Sequence, residues 1–203
     1  MGKFNNYFTI LKNTGYLTII EIIRLLMPFI ALPYLISTVG SKNYGIVIFV
    51  QTIVSYFSYF INFGLDVSAV KDISVNRESK EKLSEIVCTI LGIKFSFFLV
   101  SLLILSIALF FIPFGRLHSF LFYSAFFSCF SDVLFPIWFF QGIERMKYLT
   151  IVRAVSIFLY TGSIFIFIKE PEHYERIALL QSICNLLAGG ISIFILTRII
   201  QIK

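Results

Sequence analysis

Six stretches of this chain are each long and apolar enough to cross a bilayer, and nothing else in the sequence restricts the fold as tightly. They run at about 14–39, 45–70, 85–112, 117–140, 148–168 and 177–200. A helix rising 1.5 Å per residue needs roughly 20 apolar residues to cross ~30 Å of hydrocarbon. Within lipid the backbone has no water to bond, so only helices or closed barrels satisfy it, and these runs far exceed a barrel strand. The expected fold is therefore all-α: a polytopic membrane protein over residues 1–203, one bundle of six transmembrane helices. The connections "GSKNYG", "PFGRLH", "QGIERMKY" and "KEPEHYER" are short, which makes successive helices antiparallel.

Composition agrees with this reading and removes others. Only 14% of residues are charged and 25 of 203 are Phe, where soluble domains carry about 25% charged residues. The net charge of +6 does not point to nucleic acid, because the cations lie between apolar runs and not on one solvated face. Cys88, Cys129 and Cys184 each fall inside an apolar run without CxxC or Cys/His spacing and read as free thiols packed as small hydrophobes. Near the N-terminus Glu21 and Arg24 interrupt the apolar run, and no small-residue cleavage site follows, so the first span is expected to stay attached.

Orientation follows from the cations at the span ends. Lys3, Lys12, Lys71, Arg77, Lys80, Lys82, Arg145, Lys147, Arg198 and Lys203 flank one side, and Lys42, Arg116, Lys169 and Arg176 flank the other. This imbalance places both termini in the cytoplasm. The charged hinge in "PIWFFQGIERMKYLTI" then becomes a cytoplasmic loop between the fourth and fifth spans. The polar run "KDISVNRESKEKLSE" at 71–85 is expected to be a solvated loop, with an interfacial helix gripping through Ile73, Leu83 and Ile86 as the other reading.

Ionisable side chains inside spans are costly, and each is a candidate functional group. This chain has Glu21, Arg24, Asp66, Lys94, Asp132 and Arg153. Gln51, Ser55, Ser58, Asn62 and Asp66 recur at helical spacing and share one face of the second span. Arg153, Ser156, Tyr160 and Ser163 form such a face on the fifth. The sixth offers Gln181, Asn185 and Ser192, and the fourth offers Ser124, Ser128 and Ser131 beside Asp132. Polar faces on several helices are what a bundle around a hydrated cavity requires, so Gln51, Ser55, Asn62, Tyr160 and Asn185 are expected to line it.

Two readings stand for most of the charges. Glu21 and Arg24, three residues apart, either neutralise one another or leave Arg24 as a cavity cation for an anionic substrate. Lys94 either snorkels to the interface or serves the cavity. Asp66 and Asp132, with Glu21, are candidates for a coupling ion or proton, while capping and ion pairs to Lys71 or Arg145 also fit the two aspartates. Pro28 and Pro33 remove backbone donors and predict a bent first helix, as a hinge or a static kink. His118 and His173 both fall in short loops, and no HExxH, DxxD or Walker-type sequence occurs. The reading is therefore not an enzyme, with no cofactor beyond an ion or proton gradient.

"MPFIALPYLISTVGSKNYGI", then "FINFGLDVSAVKDIS", then "FPIWFFQGIERMKYLTI" together resemble the N-terminal half of the Wzx-type O-antigen flippases. These belong to the multidrug/oligosaccharidyl-lipid/polysaccharide exporter superfamily, with the MATE drug exporters. The matching features are Pro28, Pro33-Tyr34-Leu35, Gly40, Tyr44-Gly45, Phe63-Gly64, Ala69, Lys71-Asp72, Trp138, Gln141-Gly142, Glu144 and Tyr148. The resemblance implies flipping of an undecaprenyl-pyrophosphate-linked repeat unit across a bacterial inner membrane. Its pyrophosphate suits Arg24, Lys94 and Arg153 by charge complementarity. It also implies two facing six-helix lobes, of which this sequence matches one. A truncated product, a fragment or a dimerising half-transporter would each account for that. The other functional readings are a drug or cation exporter lobe of MATE type and a non-transporting scaffold for glycan polymerisation machinery. The implied partners are a lipid-linked oligosaccharide, the bilayer and a second lobe or second copy.

Overall fold

The computed structural model describes residues 2–200, with side-chain surroundings at 14, 15, 18 and 21–199; the surroundings of Lys3, Lys12 and Lys203, counted above for orientation, lie outside these. Every regular element among the described residues is helical: α1 (Gly2–Val39), α2 (Ser41–Asn62), α3 (Leu65–Val75), α4 (Lys80–Phe111), α5 (Pro113–Leu117), α6 (Ser119–Leu134), α7 (Ile137–Gly142), α8 (Met146–Phe167), a 3-10 turn at Pro171–His173, and α9 (Tyr174–Ile200). Six of the resulting segments are long and apolar enough to cross a membrane. The all-α, six-span expectation therefore stands, with different boundaries.

The differences have local causes. The second span breaks at Phe63 and Gly64, whose φ values of 27° and 73° lie where only glycine is unstrained. α2, with 22 residues, already crosses ~30 Å of hydrocarbon at 1.5 Å per residue, so α3 is an added arm at one membrane face. The polar run at 71–85 is mostly helix and not the expected solvated loop; the turn shrinks to Asn76–Ser79 between α3 and α4. Ser79 caps α4 by accepting a bond from the Lys82 amide, and Ala69, Ile73, Leu83 and Val87 are all buried. Their four-residue spacing on each helix carries the packing in spite of the charged residues between them. α6 stops at Leu134 because Pro136 pushes Phe135 into extended backbone (φ −96°, ψ 92°). α1 continues as helix through Pro28 and Pro33.

α6 packs against α9 and α2, α1 against α8, and α3 against α7. The apolar core falls into two clusters. One joins α1, α2, α4, α6 and α9 through residues such as Val50, Leu105 and Phe126. The other gathers α3, the start of α4, α7 and α8 around Trp138 and Phe139. The hinge between the fourth and fifth spans belongs to this second cluster. A Cβ on Gly142 would meet Ile73 Cγ2 at 2.5 Å and the Val70 carbonyl at 3.1 Å, so only glycine lets α7 approach α3 this closely. Beyond it, Glu144 takes a left-handed φ of 58° and its carboxylate pairs with Arg77 at 3.1 Å. The hinge therefore clasps the α3–α4 turn as well as connecting two spans.

Candidate functional site

The polar stripe on α2 and the start of α3 faces protein, and its members bond to neighbouring helices, to their own turn, or to both. Gln51 Nε2 donates to Gln181 Oε1 on α9 at 2.6 Å. Two turns along, Ser58 Oγ donates to Asp132 Oδ2 on α6 at 2.6 Å. At the α2–α3 break Lys94 Nζ, reaching from α4, donates to Asn62 Oδ1 at 2.8 Å and to Asp66 Oδ1 at 2.5 Å. Ser55 turns its hydroxyl back to the Thr52 carbonyl at 2.7 Å.

Two hollows meet at the Gln51–Gln181 bond, and both glutamines line each of them. The smaller, about 250 Å³, is also lined by Ser55, Ser58, Ser128, Asp132 and Asn185. The larger, about 310 Å³, is lined by Arg24, Pro28 and Leu32 of α1, Tyr44 of α2, and Tyr160 and Thr161 of α8. Behind them Ser156 Oγ donates to Cys184 O at 3.0 Å and to Asn185 Oδ1 at 3.3 Å, tying α8 to α9.

The six intramembrane charges separate into different roles. Arg24 pairs with Glu21 at 2.8 Å, and the two side chains are 66% and 53% exposed. Arg24 also lines the larger hollow, so it is paired and at the cleft at once. Lys94 does not snorkel. It is 1% exposed and its ion pair with Asp66 pins α4 to the α2–α3 break. Asp66 pairs with Lys94 and not with Lys71. Arg153 stacks over the Phe135 ring at 4.9 Å, where the ring face attracts a cation. Asp132 has no ion pair within 4 Å among the described residues; its bond is to Ser58.

Arg24, Lys94, Asp132 and Arg153 lie 13 to 17 residues along their helices from Val39, Phe111, Ser119 and Phe167 respectively, about 20–25 Å at 1.5 Å per residue.

Of the sequence-derived lining residues, Gln51, Ser55 and Asn185 border the smaller hollow and Tyr160 the larger. Asn62 is instead bonded to Lys94. Tyr44 and Thr161 were not among those candidates. Tyr44 was within reach of the pattern, since it precedes Gln51 by seven residues and shares its helical face. Among the described residues no group of three or more His, Cys, Asp or Glu side chains could hold a metal ion.

Fold and cleft together define a multi-pass membrane protein with a polar path inside an all-helical bundle. The chain belongs to the polysaccharide biosynthesis protein family, which matches residues 10–202. It is 28% identical over 193 residues to an Escherichia coli (strain K12) protein whose name marks it as a candidate O-antigen transporter; the match covers 95% of this chain and 46% of that protein. A Shigella dysenteriae protein of the same name is 27% identical over 190 residues, covering 92% of this chain and 47% of its own length. The chain thus spans about half the length of the curated relatives it matches. No solved structure matches. The family supports the flippase-like resemblance seen in the motif string.

Proposed function

We propose that this chain forms one lobe of a flippase that carries undecaprenyl-pyrophosphate-linked O-antigen or polysaccharide repeat units across a bacterial inner membrane, with its N- and C-terminal ends on the cytoplasmic side. The observation that carries the proposal is the placement of Arg24. Its guanidinium stands two-thirds exposed on a membrane helix, at the wall of a cleft whose other polar residues are Tyr44, Gln51, Tyr160, Thr161 and Gln181, set among apolar ones such as Met27, Leu35 and Ile164. A guanidinium binds phosphate oxygens through paired donors, and the amide and hydroxyl groups around it suit sugar hydroxyls. Glu21 holds Arg24 while the cleft is empty and would release it to a pyrophosphate. Lys94 and Arg153 contribute differently: Lys94 keeps the α2–α3 break in shape, and Arg153 adds positive potential from behind Phe135.

Among the three carboxylates suggested for coupling, Asp132 fits best. Glu21 and Asp66 already have cationic partners, whereas Asp132 borders a hollow with three serines, two glutamines and an asparagine. One carboxylate among neutral oxygen donors suits a proton or a monovalent cation. The opposing wall would come from a second lobe, either a further part of a longer protein or a second copy.

The test is complementation in a strain lacking its O-antigen flippase, read by surface polysaccharide and by accumulated lipid-linked intermediate. A complete two-lobed protein carrying this lobe should restore polysaccharide; Arg24→Ala should abolish it at unchanged membrane abundance, and Arg24→Lys should restore it weakly. Wild-type polysaccharide from Arg24→Ala would remove the phosphate-binding role. Expressed alone, the 203-residue chain should fail to complement; success would show that two copies suffice.

A further inference from the structure

Another concavity lies on the opposite flank of α2. It encloses about 590 Å³, and its walls are Ile46, Phe49, Ile53 and Phe57 of α2 facing Leu105 and Leu109 of α4, closed at one end by Phe114 and Gly115 of α5. The α2 residues recur at spacings of three, four and four, a single stripe, and the stripe of Gln51, Ser55 and Ser58 lies on the other side of the same helix. α2 therefore stands as a wall between this groove and the polar cleft.

The end wall has a specific origin. Ile112 leaves the helix at φ −95° and ψ 115°, Pro113 starts α5, and α5 folds back along α4. The return is tight because residue 115 lacks a side chain: a Cβ there would meet Leu109 Cδ2 at 2.7 Å. Lys42 is the polar residue on the lining, at the same end as this wall. It has no ion pair among the described residues. Arg116, beside Gly115, stacks over the Phe110 ring at 5.7 Å, off the lining; the connections "GSKNYG" and "IPFGRLH" contain no acidic residue, while Glu170 and Glu172 flank Pro171, whose carbonyl accepts from Asn43.

We infer that this groove is a binding site for a phospholipid with an anionic headgroup, its acyl chain seated between α2 and α4 and its phosphate beside Lys42. From Lys42 to Phe57 the α2 wall extends about 22 Å at 1.5 Å per residue, enough to hold one extended chain through the roughly 15 Å depth of a leaflet. The ammonium of Lys42 at the interfacial end favours an anionic headgroup over a zwitterionic one. Because α2 separates the groove from the cleft, this lipid is a resident one and not the hydrocarbon tail of cargo held at Arg24. The inference stands independently of the flippase proposal.

Gly45 makes the site testable. It lines the groove, and a Cβ built on it meets nothing within 4 Å, so Gly45→Leu adds a bulky side chain at the groove wall from an unobstructed Cβ and improves helix propensity. The purified full chain would be equilibrated with phosphatidylglycerol or phosphatidylcholine in mild detergent, washed, and examined by native mass spectrometry, with helicity checked by circular dichroism. The wild type should keep one phosphatidylglycerol at least fivefold more often than phosphatidylcholine. Lys42→Ala should remove that preference while leaving some lipid bound, and Gly45→Leu should remove retention of both at unchanged helicity. Unaltered retention in Gly45→Leu, no headgroup preference in the wild type, or displacement of the bound lipid by a polyprenyl phosphate would each overturn the assignment.

Discussion

The pairing of Lys94 with Asp66 predicts an asymmetry between two substitutions that remove the same ion pair. Lys94 is 1% exposed whereas the Asp66 side chain is 41% exposed. Asp66→Ala leaves an ammonium sealed among helices with only the Asn62 carbonyl to accept from it. Breaking a buried pair in this direction costs about 3–5 kcal/mol. Lys94→Met leaves the same stem packed between α4 and the α2–α3 break, and the surviving carboxylate can reach water, so its loss should be nearer 0–1 kcal/mol, the range for solvated pairs. The difference of at least ~2 kcal/mol corresponds to more than a tenfold change in the folding equilibrium. It would be read from reversible unfolding in mixed micelles, with tryptophan fluorescence from Trp138 as the signal. The double variant should be close to Lys94→Met alone, since no buried charge then remains. If Lys94→Met were at least as destabilising as Asp66→Ala, the idea that burial of the cation dominates this node would be wrong.

Two further outcomes follow from the geometry. Gly142→Ala should destabilise by roughly 1–3 kcal/mol through overpacking, because the new Cβ meets Ile73 and the Val70 carbonyl, while Gly162→Ala, open on all sides within 4 Å, should be neutral or slightly stabilising; equal melting temperatures for the pair would contradict the close α3–α7 approach. In a background with Cys88, Cys129 and Cys184 replaced, a membrane-impermeant maleimide should label Glu78→Cys only in inside-out vesicles and Glu172→Cys only in right-side-out ones; the reverse pattern would invert the proposed orientation.

How much of this was legible depended on which interaction decided each feature. The six spans were readable because hydrophobic length alone decides them, and the α2 stripe because helical spacing does. Helix ends were less so. The run at 71–85 looks like a loop by charge count, yet Ser79 supplies a cap, and Ile73 and Leu83 are buried, so four apolar contacts outweigh the charges, which need only point outward. The break at Phe63 had a partial signal in Gly64. The role of Lys94 had none, because snorkelling and internal pairing differ only in whether Asn62 and Asp66 happen to face it from another helix. The same limit applies to Asp132, whose partner Ser58 is 74 residues away.

The exposed pair on α1 sets a condition that the rest of the molecule must meet. Glu21 and Arg24 are more than half exposed in a span with no other charged residue. Even neutralised, such a pair facing hydrocarbon would leave donors and acceptors that lipid cannot satisfy. This face of α1 must therefore be turned toward water or other protein. Pro28 and Leu32 continue the face along α1 beside Arg24, and across the hollow stand Tyr44, Gln51 and Tyr160, so the wetted surface is the cleft between α1, α2 and α8. The flank of α2 carrying Phe49 and Phe57 has no such requirement and suits acyl chains. α2 thus carries a polar side and an apolar side, and an aqueous accessibility scan along it should alternate accordingly: cysteines at Gln51 and Ser55 labelled by water-soluble reagents, and cysteines at Phe49 and Ile53 unreactive.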